Sequence, residues 1–336
     1  MRPVKAVVVA CGTLLAFPAL SAAHGVRVAH AAAATPTQTI TVGSAPWGVA
    51  ADPDSGMVYV SNYNSDTLSV IDEATDKVTA TIPVGPAPEA VAVNPTTDTV
   101  YVANFGGESV SVINASTDAV TDTIDDVGLN PNSIAVDAAT NTVYVGTYMS
   151  STVDVINGAT NAITTEIPLP DANIHDVVVD PSTDIVYATA YNLGYVAVIS
   201  TTTNTVIGEL TGMCGPDGLA IDASTNTLSV VQNYCDYGVV TYSGAVISSS
   251  GGVITAFAPS KNAPNFMTQL PGGDAFASVG AASPASDGTV ETIAKGRIVG
   301  PAVRVGPNPR MLDADPITGK VFVANYGSDT VTEFEG

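Results

Sequence analysis

Along most of this chain, apolar and polar residues alternate in short runs. Pro88-Glu89-Ala90-Val91-Ala92-Val93-Asn94 is followed by Thr99-Val100-Tyr101-Val102-Ala103-Asn104, then by Ser109-Val110-Ser111-Val112-Ile113 and Ala119-Val120-Thr121-Asp122-Thr123-Ile124. Each run consists of β-branched or small side chains and is cut off by Asn, Asp, Gly or Pro, the pattern of strands joined by tight turns. Composition agrees: 46% of residues are hydrophobic but only 6% are aromatic, and the abundant Val and Thr favour strands while Asp and Asn favour turns.

The four-strand pattern recurs about every 42 residues, with aligned openings at Pro46, Pro88, Pro131, Ile174, Pro216, Pro264 and Pro309. A repeat of this length suits one four-stranded propeller blade, so the expected fold is all-β, a seven-bladed β-propeller over residues 37–336. Packing each unit against its neighbours also lets 336 residues escape the size limit of a single core. The fifth unit holds the longest insertion, around 236–252. The sixth diverges most, with Gln269 and Leu270 where others carry Val and Asp, and a longer Gly280–Gly288 loop. Such insertions lie in loops on one face, where they either carry function or reflect drift. The last unit stops after its third strand, and Thr37-Gln38-Thr39-Ile40-Thr41-Val42 matches the fourth-strand pattern of Thr79–Val84. The N-terminal strand is therefore expected to close the last blade, removing exposed edges.

In the innermost strands, Val49, Val91, Ile134, Val177, Leu219, Met267 and Leu312 place a large residue at one position. The next holds Ala50, Ala92, Ala135, Val178, Ala220, Thr268 and Asp313. Alternation of faces then gives every blade a bulky side and a shallow side that interdigitate. Asp313 breaks the rule and requires either a partner or a solvated channel.

Tyr59-Val60-Ser61-Asn62, Tyr101-Val102-Ala103-Asn104, Tyr144-Val145-Gly146-Thr147 and Phe322-Val323-Ala324-Asn325 resemble the motif that names YVTN repeats, and Asp66-Thr67-Leu68-Ser69-Val70-Ile71-Asp72 resembles its continuation. The chain is thus similar to the YVTN-repeat (YncE-like) propellers, over roughly 37–336 and most weakly over 236–300. The resemblance implies a propeller and a secreted bacterial protein of the adhesion or surface-layer kind. Similar secreted propellers serve as lectin-like subunits of toxin particles.

The N-terminus reads as a signal peptide over residues 1–31, followed by a short linker at 32–36. Arg2 and Lys5 precede an apolar stretch at 6–20, and Ala29-His30-Ala31 offers a cleavage site, with Ser21-Ala22-Ala23 as the alternative. Val8-Val9-Ala10-Cys11 imitates a lipoprotein box, but the apolar run continues past Cys11. The stretch is short for a membrane span, so export to the extracellular space without membrane insertion is expected. Removing Arg2, Lys5 and Arg27 leaves seven basic against 32 acidic residues, a net charge of −25. Such a surface repels nucleic acid and anionic lipid.

The residue after each opening should point around the central mouth. These residues are Trp47, Glu89, Asn132, His175, Asp217, Asn265 and Arg310. Variation at one position of a regular scaffold is how loops carry recognition, so this ring is the expected ligand-binding site, against the alternative of a solvated rim. A second set, Tyr63, Phe105, Tyr148, Tyr191, Tyr234 and Tyr326, follows strand two and offers either an aromatic platform for sugar or peptide or packing beneath its loops. Cys214 and Cys235 are expected to form a disulfide, worth about 3 kcal/mol from loop entropy. With two thiols and one His left in the mature chain, no metal or cofactor is expected.

There is no P-loop, G-x-S-x-G elbow, EF-hand loop or His-rich zinc pattern, and Asp52, Asp72, Asp180 and Asp315 sit where turn formers belong. A His175–Asp217 or His175–Glu89 pair suits general acid–base work or a hydrogen-bonded rim. The expected function is non-enzymatic, lectin-like or adhesion-type recognition of a surface glycan or extracellular protein, within or outside a larger secreted complex. One alternative is an enzyme similar to streptogramin lyases or lactonases; the lyase resemblance implies a magnesium site with paired catalytic His and Glu, whereas only His175 remains after the leader. The other alternative is a purely structural assembly subunit.

Overall fold

The computed structural model describes residues 36–225, 227–233, 243–248, 253–256, 264–280, 286–294 and 297–336. The expected leader at 1–31, Tyr234, Cys235 and most of the 236–252 insertion lie outside the described residues. What is described is a β-propeller of four-stranded antiparallel blades. Strands run in chain order from the inside outward, for example Pro46–Asp52, Met57–Asn62, Thr67–Asp72 and Lys77–Pro83. The other innermost strands are Pro88–Asn94, Pro131–Asp137, Val177–Asp180, Pro216–Asp222, Pro264–Gln269 and Pro309–Ala314, each heading its own four-stranded sheet. The sheet headed by Pro309–Ala314 takes its outermost strand from the other end of the described chain: Pro36–Thr41 pairs antiparallel with Thr330–Glu335, with Ile40 opposite Val331. That first strand starts one residue before the expected boundary at 37.

Period-two alternation explains the packing. The small residue of the innermost strand lies across from a large aromatic on strand two: Ala50 opposite Tyr59, Ala92 opposite Tyr101, Ala135 opposite Tyr144. These tyrosines, with Tyr187 and Phe322, are at most 1% exposed. Tyr59 packs towards Val91, Val100 and Val102 of the next blade. The other face of the first blade, Val49, Val58 and Val60, joins Ile40, Phe322, Ala324 and Val331. Apolar clusters thus sit between neighbouring blades rather than within them. Glycines allow the closest approaches. A Cβ on Gly48 would collide with the Glu89 carbonyl, and one on Gly218 would come within 2.8 Å of Asn265 and Phe266 backbone atoms.

The asparagine closing strand two pins the hairpin to strand three. Asn104 Nδ2 donates to Ser109 Oγ at 3.1 Å and Ser111 Oγ at 3.0 Å, and Asn62 and Asn325 repeat this with Thr67 and Ser69, and with Thr330 and Thr332. Asp52, Asp72, Asp180 and Asp315 accept from backbone N–H groups two residues on, as turn formers do. Asp313 resolves in favour of partners: its carboxylate accepts from Ala51 N at 3.0 Å, Thr268 Oγ1 at 3.1 Å and Ala314 N at 2.9 Å. It thereby ties its own blade to both neighbours, and burial raises its pKa above the ordinary carboxylate value. Among the described residues no helix is long and apolar enough to cross a membrane.

Candidate functional site

The mouth is built by a repeated loop device. The residue before the opening proline adopts a left-handed conformation at Ala45, Ala87, Asn130 and Asn308, with φ between 48° and 57°. Its carbonyl accepts a hydrogen bond from the N–H of the residue that follows strand two: Tyr63 to Ala45, Phe105 to Ala87 and Tyr148 to Asn130 at 3.0 Å, and Tyr326 to Asn308 at 3.2 Å. In the fourth unit Tyr191 binds Asn173 the same way at 3.0 Å. Each bond clamps the two upper loops of a blade together and sets an aromatic residue beside a ring residue.

All seven ring residues, Trp47, Glu89, Asn132, His175, Asp217, Asn265 and Arg310, line one cavity of about 280 Å³. Phe105 and Tyr148 of the aromatic set enter its wall, and Phe266 and Met311 complete the lining. The remaining described aromatics act from behind. Tyr63 and Tyr326 each lie 5.6 Å from the Trp47 ring, and Tyr191 stacks on His175 at 4.2 Å with an interplanar angle of 11°. The two sequence-derived sets therefore interlock, one supporting the other. Tyr234 and the Cys214–Cys235 pairing fall outside the described residues.

Two charged groupings face each other around the ring. His175 Nδ1 lies 2.7 Å from Asp217 Oδ1, and Asn233 Nδ2 donates to Asp217 Oδ2. With the carboxylate fixed on Nδ1, the ring presents Nε2, which is buried without a hydrogen-bonding partner in the protein. Of the two His pairings open in the sequence, the structure makes the one with Asp217. In the second grouping the Arg310 guanidinium lies 4.1 Å from the Trp47 ring centre and 5.1 Å from that of Tyr326, within cation–π range. Burial pushes the Glu89 carboxyl up to about 8, against the opposing charge of Arg310. Burial likewise pulls Arg310 below its ordinary value, opposed first by Glu89. Trp47 Nε1, Asn132 Oδ1 and Arg310 Nε are also buried without protein partners.

Asp176 was missed by sequence reading. It occupies the position that holds Gly48, Ala90, Ser133, Gly218, Phe266 and Met311 elsewhere, and being the one charged residue in that series was the available signal. Its carboxylate accepts from Val177 N at 2.8 Å and, in the next blade, from Leu219 N at 2.7 Å. Burial pushes it up to about 7. Thr189 Oγ1 accepts from the N–H groups of both His175 and Asp176, at 3.1 and 2.9 Å. This innermost strand begins only at Val177, whereas the others begin at their opening proline. Asp176 and Asp313 line a second cavity of about 370 Å³ along the innermost strands; Phe266 and Met311 line both cavities and partition them. No group of three or more His, Cys, Asp or Glu side chains suited to a metal occurs among the described residues.

A ring of variable side chains at the mouth of a rigid repeat scaffold defines the class: this is a β-propeller. No family model and no curated protein matches the chain. Among solved structures it is similar to a chain of hydrazine synthase from Kuenenia stuttgartiensis, at 20% identity and a TM-score of 0.77, covering 87% of this chain and 96% of the other. At that identity the likeness concerns the fold alone.

Proposed function

We propose that this protein is a secreted, non-enzymatic binding module of the YVTN-type, a closed seven-bladed propeller that recognises a surface glycan or extracellular protein at its central mouth. The observation that carries this reading is the convergence of all seven ring residues on one cavity in which Trp47 Nε1, Asn132 Oδ1, His175 Nε2 and Arg310 Nε lack protein partners. Buried polar groups are costly unless bonded, and sugar hydroxyls supply both donors and acceptors. Support for the closed ring comes from the pairing of Pro36–Thr41 with Thr330–Glu335. Support for secretion is the leader-like N-terminus, and a Cys214–Cys235 disulfide belongs to the same reading. The same reading extends to membership of a larger secreted complex, with the outer strands as the assembly surface.

A glycan-array screen of the purified protein, beside a Trp47→Ala/His175→Ala double variant, tests the reading. Binding that disappears in a variant with unchanged circular dichroism supports it; absence of binding by the wild type sinks the glycan form and directs attention to protein partners.

The second reading is an enzyme, favoured by one observation, the 2.7 Å His175–Asp217 pair on a cavity-lining histidine whose Nε2 has no protein partner. It requires that an array ligand be chemically altered on prolonged incubation and that His175→Ala abolish the change.

A further inference from the structure

We infer that the ligand of this mouth is a sugar residue bearing a carboxylate, and that its carboxylate sits on the Arg310 guanidinium. The inference rests on the mouth being the ligand site and goes further by naming the ligand's charge. Arg310 is the one cationic residue of the ring at every pH at which the protein folds. Its Nε is buried without a partner. The ion pairs found among the described residues are His175–Asp217, Arg304–Asp287, Lys320–Asp76 and Lys320–Glu333, none of which engages it. A guanidinium held in this way keeps open the planar fork that carboxylates occupy with two parallel hydrogen bonds.

Cationic and neutral ligands fit less well. The aromatic cage of Trp47 and Tyr326, backed by Tyr63, is already filled by Arg310 itself. An amine would have to displace that group and would then leave a guanidinium beside it. A neutral sugar would offer Arg310 hydroxyl acceptors but no opposite charge, leaving the guanidinium charge uncompensated in a partly desolvated site. A carboxylate removes the cost. The remaining unpartnered atoms of the ring, Trp47 Nε1, Asn132 Oδ1 and His175 Nε2, belong to other blades, where they meet the hydroxyls of the same sugar. A cavity of about 280 Å³ accepts one such ring.

Glu89 shares the cavity and feels the Arg310 charge. Protonated, it donates to a bound carboxylate; ionised, it repels one and competes for Arg310. The other titratable groups of the mouth are Tyr63, Tyr148, Tyr326, His175 and Asp217. Affinity for an acidic sugar should therefore fall as pH rises through about 8, and Glu89→Gln should flatten that fall.

The test is calorimetric titration of the protein with D-glucuronate, D-galacturonate and N-acetylneuraminate against D-glucose, D-galactose and N-acetylglucosamine. At least one acidic sugar should bind about tenfold or more tightly than its neutral counterparts, the scale of one charge-assisted pair. Arg310→Gln, with an unchanged circular dichroism spectrum, should abolish that preference. Neutral sugars binding as well as acidic ones, or a preference that survives Arg310→Gln, would overturn the carboxylate inference while leaving the mouth as a glycan site. No binding by any of the six would overturn both. Comparing the sugars on the wild-type protein decides the matter even if the variant fails to fold.

Discussion

The chemistry of this protein is concentrated in a few residues held under unfavourable conditions. Glu89 is 6% exposed, and burial holds its carboxyl near 8, well above an unfolded glutamate. A carboxyl whose pKa is raised on folding gives stability that is fully present below the unfolded value and is lost as pH climbs through the folded one. Relative to Glu89→Gln, the wild type should therefore lose stability between about pH 4 and pH 8. The loss should be on the order of a few kcal/mol, measured by urea unfolding across that range. A difference between the two proteins that does not change with pH would contradict the buried assignment. Asp217 works differently, fixing His175 through a 2.7 Å contact on one oxygen while Asn233 holds the other. Asp217→Asn should leave the fold intact and weaken any ligand that bonds His175 Nε2, read as a loss of affinity without a loss of thermal stability.

At the level of strands and hairpins, much was legible in the sequence, because local chemistry determines local structure here. Strand positions, turn-forming Asp and Asn, and the large-small alternation all follow from side-chain period and turn preference. Removing Asn104 tests one such element. Asn104→Ala deletes two buried hydrogen bonds to Ser109 and Ser111 and should cost about 1–3 kcal/mol, read as a lower melting temperature. The exposed Thr97, by contrast, should tolerate Ala with little effect. What the sequence hid were relations between blades. Nothing local distinguishes Asp313 from a solvated channel carboxylate; only the neighbouring strands show that Ala51 N and Thr268 Oγ1 satisfy it. Asp176 and the stacking of Tyr191 on His175 were hidden for the same reason. The ring itself was legible because it occupies one fixed place in the repeat, yet its division into a His175–Asp217 grouping and an Arg310–Trp47 grouping depends on three-dimensional distances.

Across the whole molecule, the ends of the described chain meet in one sheet, and the seam is reinforced away from the mouth. Lys320 Nζ lies 3.0 Å from Glu333 of its own blade and reaches the first blade through Glu73 O at 2.9 Å and Asp76 at 3.5 Å. Truncating Lys320 to Met would remove the cation beside the Glu333 carboxylate, which is 3% exposed, and should cost about 1–3 kcal/mol. Deleting residues 36–41 should be more severe, since it uncovers Thr330–Glu335 as a free edge; the expected result is aggregation on heating at temperatures where the intact protein stays monodisperse by light scattering. A ring of similar blades offers two ways to bind: one site at the shared mouth, or several sites between blades. The mouth reading requires the first. Trp47 is the only tryptophan and lines the cavity, so its fluorescence reports directly on that place. The deciding measurement is a titration of Trp47 emission with the tightest-binding array glycan, with stoichiometry from calorimetry on the same samples. One ligand per chain, with emission saturating in step with heat, is the expected result; several ligands per chain, or saturable heat with unchanged emission, would contradict a single central site.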